Sequence, residues 1–137
     1  MADTMQFDLV SPERLLASVK ASAVQIPGAD GELTAMVNHA PLITTLRPGI
    51  VRVTSAEGEA SFVVTGGFAE ITPEGTSVLA ERAMPVAEVT QEVLDEFVAA
   101  AVAARDNATP EMLDELAKQV SDIAGIAAEL GLQAKAA

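Results

Sequence analysis

The chain of 137 residues holds one histidine, His39, and no cysteine. A transition-metal centre would have to be assembled from a single imidazole plus carboxylates, a thin donor set for zinc. Thiolate nucleophiles and disulfides are excluded, and the lack of cysteine is compatible with a reducing compartment. Ser-His-Asp chemistry needs only one histidine, yet none of the serines sits in a nucleophile-elbow sequence. Gly66-Gly67 and Gly28-Ala29-Asp30-Gly31 lack the Gly-Lys-Ser/Thr ending that cradles nucleotide phosphates, and turns requiring positive φ explain both. Asp30, Glu32, Glu57 and Glu59 are acidic enough to raise calcium, but they lack the liganding period of an EF-hand. Solvated turn acids are the plainer reading. We therefore expect no catalytic residue, cofactor or metal, and read His39, in a turn-rich loop, as a structural or interface side chain.

Charge and composition narrow the partners. Twenty acidic residues against eight basic ones give a net charge of −12. Phosphate contacts are made by clustered Lys and Arg, and no such cluster exists, so nucleic acid and anionic lipid are not expected partners. Four Phe with no Tyr or Trp leave almost nothing for base or sugar stacking. Half of the residues are hydrophobic, enough to bury a real core. The opening Met1-Ala2-Asp3-Thr4-Met5-Gln6 carries no basic region or apolar run, and no segment reaches membrane-spanning length. A soluble cytoplasmic protein is expected, with any membrane association borrowed from a partner.

The elements that must position these residues change character near Pro85. Residues 1–87 hold seven of the nine glycines, six of the seven prolines and repeated short apolar runs. Met5, Phe7 and Leu9 alternate, Val24 and Ile26 precede Pro27-Gly28, and further strands are predicted over 42–46, 50–54, 61–65, 68–71 and 77–80. Thr54-Ser55-Ala56-Glu57-Gly58 and Thr72-Pro73-Glu74-Gly75 read as hairpin turns. Strands recurring every 8 to 12 residues or so indicate a sandwich or barrel. From about Glu88 the period becomes helical, with Val93, Phe97, Ala100 and Ala104 on one face. Thr109-Pro110-Glu111 predicts the start of a second helix with Thr109 as its N-cap. Its stripe is Leu113, Leu116, Val120, Ile123, Ala127 and Leu130, and Gly131 closes it. The expectation is a β domain over 1–87 and an antiparallel helical hairpin over 88–137. Alanine-rich stripes make the hairpin weakly held, free to detach or extend.

Six short segments in order carry a resemblance. They are Phe7-Asp8-Leu9-Val10-Ser11-Pro12-Glu13, Gly31-Glu32-Leu33, His39-Ala40-Pro41, Arg47-Pro48-Gly49, Gly66-Gly67-Phe68-Ala69-Glu70 and Val78-Leu79-Ala80. Together with the helical tail they resemble the epsilon subunit of bacterial F-type ATP synthases, the family whose mitochondrial member is called delta. The resemblance implies an N-terminal β-sandwich of about ten short strands and a C-terminal helical hairpin. It also implies a non-catalytic rotor subunit of the central stalk, whose sandwich binds the gamma subunit and stands on the c-ring at the cytoplasmic face of the inner membrane. Contact with the catalytic alpha/beta hexamer would come through the hairpin. Glu32 is placed by the resemblance in the turn facing the ring, and His39 in the adjoining loop near ring and gamma.

Two departures matter. Some bacterial relatives bind ATP on the hairpin through Ile or Leu, Asp, two variable residues, Arg and Ala. The matching segment here is Leu94-Asp95-Glu96-Phe97-Val98-Ala99, and a valine cannot pair with a phosphate. From residue 88 onward ten acids face three basic residues, Arg105, Lys118 and Lys135. Inhibitory relatives extend a more basic helix toward acidic parts of the catalytic head, so weak or no inhibition is expected here. The alternative from another class is a free-standing acidic binding module whose hairpin captures a helical peptide.

Overall fold

The computed structural model describes residues 4–132. They form nine strands, then a short 3₁₀ turn and two helices: β1 Met5–Val10, β2 Leu15–Gly28, β3 Gly31–Met36, β4 Leu42–Thr45, β5 Gly49–Ser55, β6 Gly58–Val64, β7 Gly67–Ile71, β8 Gly75–Ala80, β9 Ala83–Pro85, Val86–Glu88, α1 Gln91–Asp106 and α2 Leu113–Leu130. The chain divides into two compact units, one ending at Pro85 and the other starting at Val86.

The strand unit is built on β2. This strand is 14 residues long. Its first half pairs antiparallel with β1 (Phe7 opposite Val19), and its second half pairs on that same edge with β3 (Val24 opposite Ala35). The other edge takes β5, with Val24 opposite Val53. A register shift between Ala21 and Ala23 marks the changeover, as expected where a strand bends to serve two sheets. One sheet thus runs β4-β7-β8-β1-β2, and the other carries β3, β5, β6 and β9 on the second half of β2. β1 and β8 pair in parallel and every other neighbouring pair is antiparallel.

Period-two patterning fills the space between. In β1 Met5, Phe7 and Leu9 are fully buried while Gln6, Asp8 and Val10 are half-buried on the opposite face. Val24, Ile26, Val51, Val64, Ile71 and Val78 complete a single apolar core. The turns expected at 54–58 and 72–75 both form, the second closed by Thr72 Oγ1, which accepts from Gly75 N at 3.2 Å. Gly67 (φ +114°) must be glycine twice over, because a Cβ there would collide with the carbonyl oxygen of Leu79. β3 and β9, and the full length of β2, went unread in the sequence. Among the described residues nine strands form, in keeping with the expected sandwich of about ten short strands.

The helical unit corrects three details. α1 starts at Gln91, not near Glu88, and Thr90 caps it by accepting from Val93 N at 3.2 Å. Its buried residues are Leu94, Phe97, Val98 and Ala101, so the buried face is turned from the expected Val93-Phe97-Ala100-Ala104 stripe toward the larger side chains Leu94 and Val98. α2 starts at Leu113, with Thr109–Met112 forming a turn in place of the expected first helical turn. Val120, Ile123 and Ala127 are buried as the stripe predicted, joined by Ile126, whereas Leu113 is half-exposed. Gly131 closes α2 in the left-handed conformation (φ 70°), and its N–H reaches Ala127 O and Ala128 O.

Candidate partner surfaces

Two loop clusters carry the residues singled out above. In the first, the β2–β3 turn at Ala29-Asp30 is held against the end of β4, with Ala29 N donating to Thr45 O at 2.9 Å and Arg47 N donating to Pro27 O at 3.0 Å. Gly31, at φ +135°, lets the hairpin close. Glu32 is the second residue of β3, exposed, opposite Pro27. In the second cluster, Asn38 adopts φ 63° and its N–H donates to Pro73 O at 3.0 Å, fixing the β3–β4 loop to the β7–β8 turn. His39 is anchored there by its backbone N–H to Met36 O (3.1 Å) and by Nδ1 to Ala40 O at 2.6 Å. A carbonyl can only accept, so Nδ1 is the donor in this contact.

Glu32 and His39 therefore belong to opposite ends of β3. From Glu32 to Met36 the strand alone extends about 13 Å at roughly 3.3 Å per residue. They do not form a pair that could share a proton or an ion. Among the described residues no group of three His, Cys, Asp or Glu side chains is placed to hold a metal.

The surface that sequence reading missed lies on the outer face of the β4-β7-β8-β1-β2 sheet. Pairing registers align Thr45, Phe68, Leu79, Val10 and Leu15 in one cross-strand row. Phe68, Leu79 and Leu15 are 46%, 44% and 62% exposed. The adjoining row is Ile43, Glu70, Ser77, Asp8 and Ser18. Here Gln6 Nε2 donates to Asp8 Oδ1 (3.1 Å) and Ser18 Oγ (3.0 Å), while Ile43 is 68% exposed at the sheet edge. An apolar ridge beside an acidic, hydrogen-bonded row is a protein-docking pattern, since large apolar side chains clustered on a sheet face gain only when covered. The signal was present in the strands: β7 and β8 place small or branched residues inward (Ala69, Val78, Ala80) and the larger Phe68 and Leu79 outward.

The segment matching the nucleotide motif lies within α1. Leu94, Phe97 and Val98 are buried, and Asp95 Oδ1 accepts from Gln91 Nε2 at 2.9 Å.

Comparison with known proteins follows the same division. Residues 4–86 match the family model of the ATP synthase delta/epsilon chain, β-sandwich domain. The chain is 53% identical to the ATP synthase epsilon chain of Ruegeria sp. (strain TM1040), covering 96% of this chain and all of that one. It is 56% identical to that of Fuscovulum blasticum, covering 96% and 99%. Among solved structures, a chain in the mitochondrial ATP synthase of Euglena gracilis superposes with a TM-score of 0.70 at 21% identity, covering 93% of this chain and 81% of that one. One from the central stalk and c-ring of the Tetrahymena thermophila enzyme gives 0.60 at 14%, covering 91% and 94%. At such identities the structures establish the shared fold, while the full-length sequence relatives and the family model establish descent: the chain belongs to the ATP synthase delta/epsilon chain family.

Proposed function

We propose that this protein is the epsilon subunit of a proton-translocating F-type ATP synthase, a non-catalytic rotor part that couples c-ring rotation to ATP synthesis. Identity above one half along essentially the whole chain to proteins named ATP synthase epsilon chain is the observation that carries this reading. The sandwich is the mechanical element. Its apolar ridge of Phe68, Leu79, Val10 and Leu15 docks on the gamma subunit, and its loop ends stand on the c-ring. Glu32 contacts the ring from the β2–β3 hairpin, and His39, at the other end of β3, contacts the ring–gamma junction, so torque is received at two separated points. Separation suits a coupler, because two contacts spaced along a rigid strand resist rotation better than one.

Residues 1–87 and 88–137 act as separate domains, and the second, acidic one inhibits hydrolysis weakly. No helix of the described residues is long and apolar enough to cross a membrane. The protein is held at the cytoplasmic face of the bacterial inner membrane through the complex. Affinity purification through a tagged copy tests the reading: gamma, the catalytic hexamer and the c-ring should co-purify in stoichiometric amounts. Recovery of the chain without gamma would refute it.

A further inference from the structure

We propose that Thr109–Met112 is a stored helical turn, which winds onto the start of α2 when α2 parts from α1. The start of α2 is unfinished. Its N-cap, Met112, makes no side-chain capping bond, and its first backbone bond runs from Leu116 N to Met112 O. Three residues earlier stands an unused start: Thr109 to accept from the amide three residues on, Pro110 with φ preset for a first helical position, and Glu111 with a charge suited to the first turn. The segment is already curled, since Met112 N donates to Thr109 O at 3.0 Å, a 3₁₀-type bond. Among the described residues of this unit, Met112 and Leu113, 44% and 46% exposed, are the large apolar side chains left open.

The connection explains why the turn stays unwound. α1 ends at Asp106 and is closed by Asn107, whose Nδ2 donates to Ala103 O at 2.9 Å, leaving six residues before α2. Winding to Pro110 would leave three, cutting the reach from about 20 to about 10 Å. It would also carry the start of α2 about 4.5 Å further along its axis. The α1–α2 packing forms on the six-residue connection, and in this proposal closed packing and the wound turn compete through the shift of α2 along its axis. As the helices separate, about three backbone bonds become available, from the amides of Leu113, Asp114 and Glu115 to the carbonyls of Thr109, Pro110 and Glu111. These offset part of the buried surface given up on opening.

Full-length protein carrying Leu94→Asp with Val98→Asp tests this. Two charges on the buried face of α1 part the helices whether or not α1 itself stays helical, and they leave the sequence of α2 untouched. Carbon secondary shifts at Glu111 and Met112 and amide exchange at Leu113–Glu115 are the readouts. The parent chain should show non-helical shifts. The double variant should show helical shifts and exchange at least fivefold slower; adding Thr109→Ala should abolish both changes, while Thr109→Asp preserves them. Non-helical shifts at residues 111 and 112 in the double variant, with α2 intact or melted, would overturn the proposal, as would helical shifts already present in the parent.

Discussion

The sandwich and the helical pair answer the same physical demand with unequal means. The sandwich buries Phe7, Met5, Leu9, Ile26 and Ile71 completely, whereas among the largest fully buried side chains of the described residues Leu94 alone is helical. Each helix buries four residues, and one of the four is alanine in both. Burial contributes about 25 cal/mol per Å² of apolar surface, so the same backbone length is held far more tightly in the strands. A body that transmits force has to keep its shape under load. An element that adjusts can be shallow.

The sharpest way to break this contrast is to empty a core position in each unit. Phe7→Ala should cost the sandwich about 3–5 kcal/mol and lower its thermal midpoint sharply. Leu94→Ala, costing about 2–5 kcal/mol, should raise amide exchange in α1 and in α2 beyond Glu115 and leave the exchange of β1, β2 and β5 unchanged. Strand amides that loosened along with the helices would show one cooperative body in place of two.

Next in size is the outer face. Phe68→Ser combined with Leu79→Ser should weaken gamma binding by about 2 kcal/mol, roughly thirtyfold, because exposed apolar anchors act only when covered. The thermal midpoint of the sandwich should hold, both side chains being half-exposed. Titration of gamma with the double variant decides it, and unchanged affinity would move the interface elsewhere.

A smaller effect belongs to the helices. Asp122 has a buried carboxylate oxygen, Oδ2, without a hydrogen-bond partner. Asp122→Ala should stabilise the helical unit by about 1 kcal/mol, through removal of that desolvated oxygen and the better helix propensity of alanine. Slower amide exchange across α2 is the expected sign, and faster exchange would mean that the carboxylate has a role in packing. Smallest of all should be the catalytic consequence of losing the acidic domain. Deleting residues 88–137 should change ATP hydrolysis by the assembled enzyme less than about threefold, on the order of 0.65 kcal/mol. Tenfold activation would show that the acidic hairpin inhibits despite its charge.

What was legible in the sequence was what local chemistry encodes. Alternation exposed β1, Gly and Pro exposed the turns, and Gly131 exposed the end of α2. β3 was hidden because Gly-Glu-Leu-Thr-Ala-Met buries only Ala35 fully, so its alternation is faint. The length of β2 was hidden because two sheets share it, which blurs any single period. In α1 the alanines made several stripes look equivalent, and only packing chose the one with Leu94 and Val98. Glu32 and His39 came from resemblance and not from chemistry; their placement at opposite ends of β3 could not be read from the chain. The apolar ridge was written in the strands, but it became a row only once register set Phe68 beside Leu79 and Leu79 beside Val10.

One measurement bears most directly on the idea that the sandwich is the coupler and the helices an adjustable appendage. Residues 1–87 should be expressed alone and titrated with gamma beside the full chain. The fragment should fold cooperatively and bind gamma with a Kd within about threefold of the full chain, a difference below roughly 0.7 kcal/mol. A fragment that is unfolded, or that folds yet no longer binds gamma, would contradict the account.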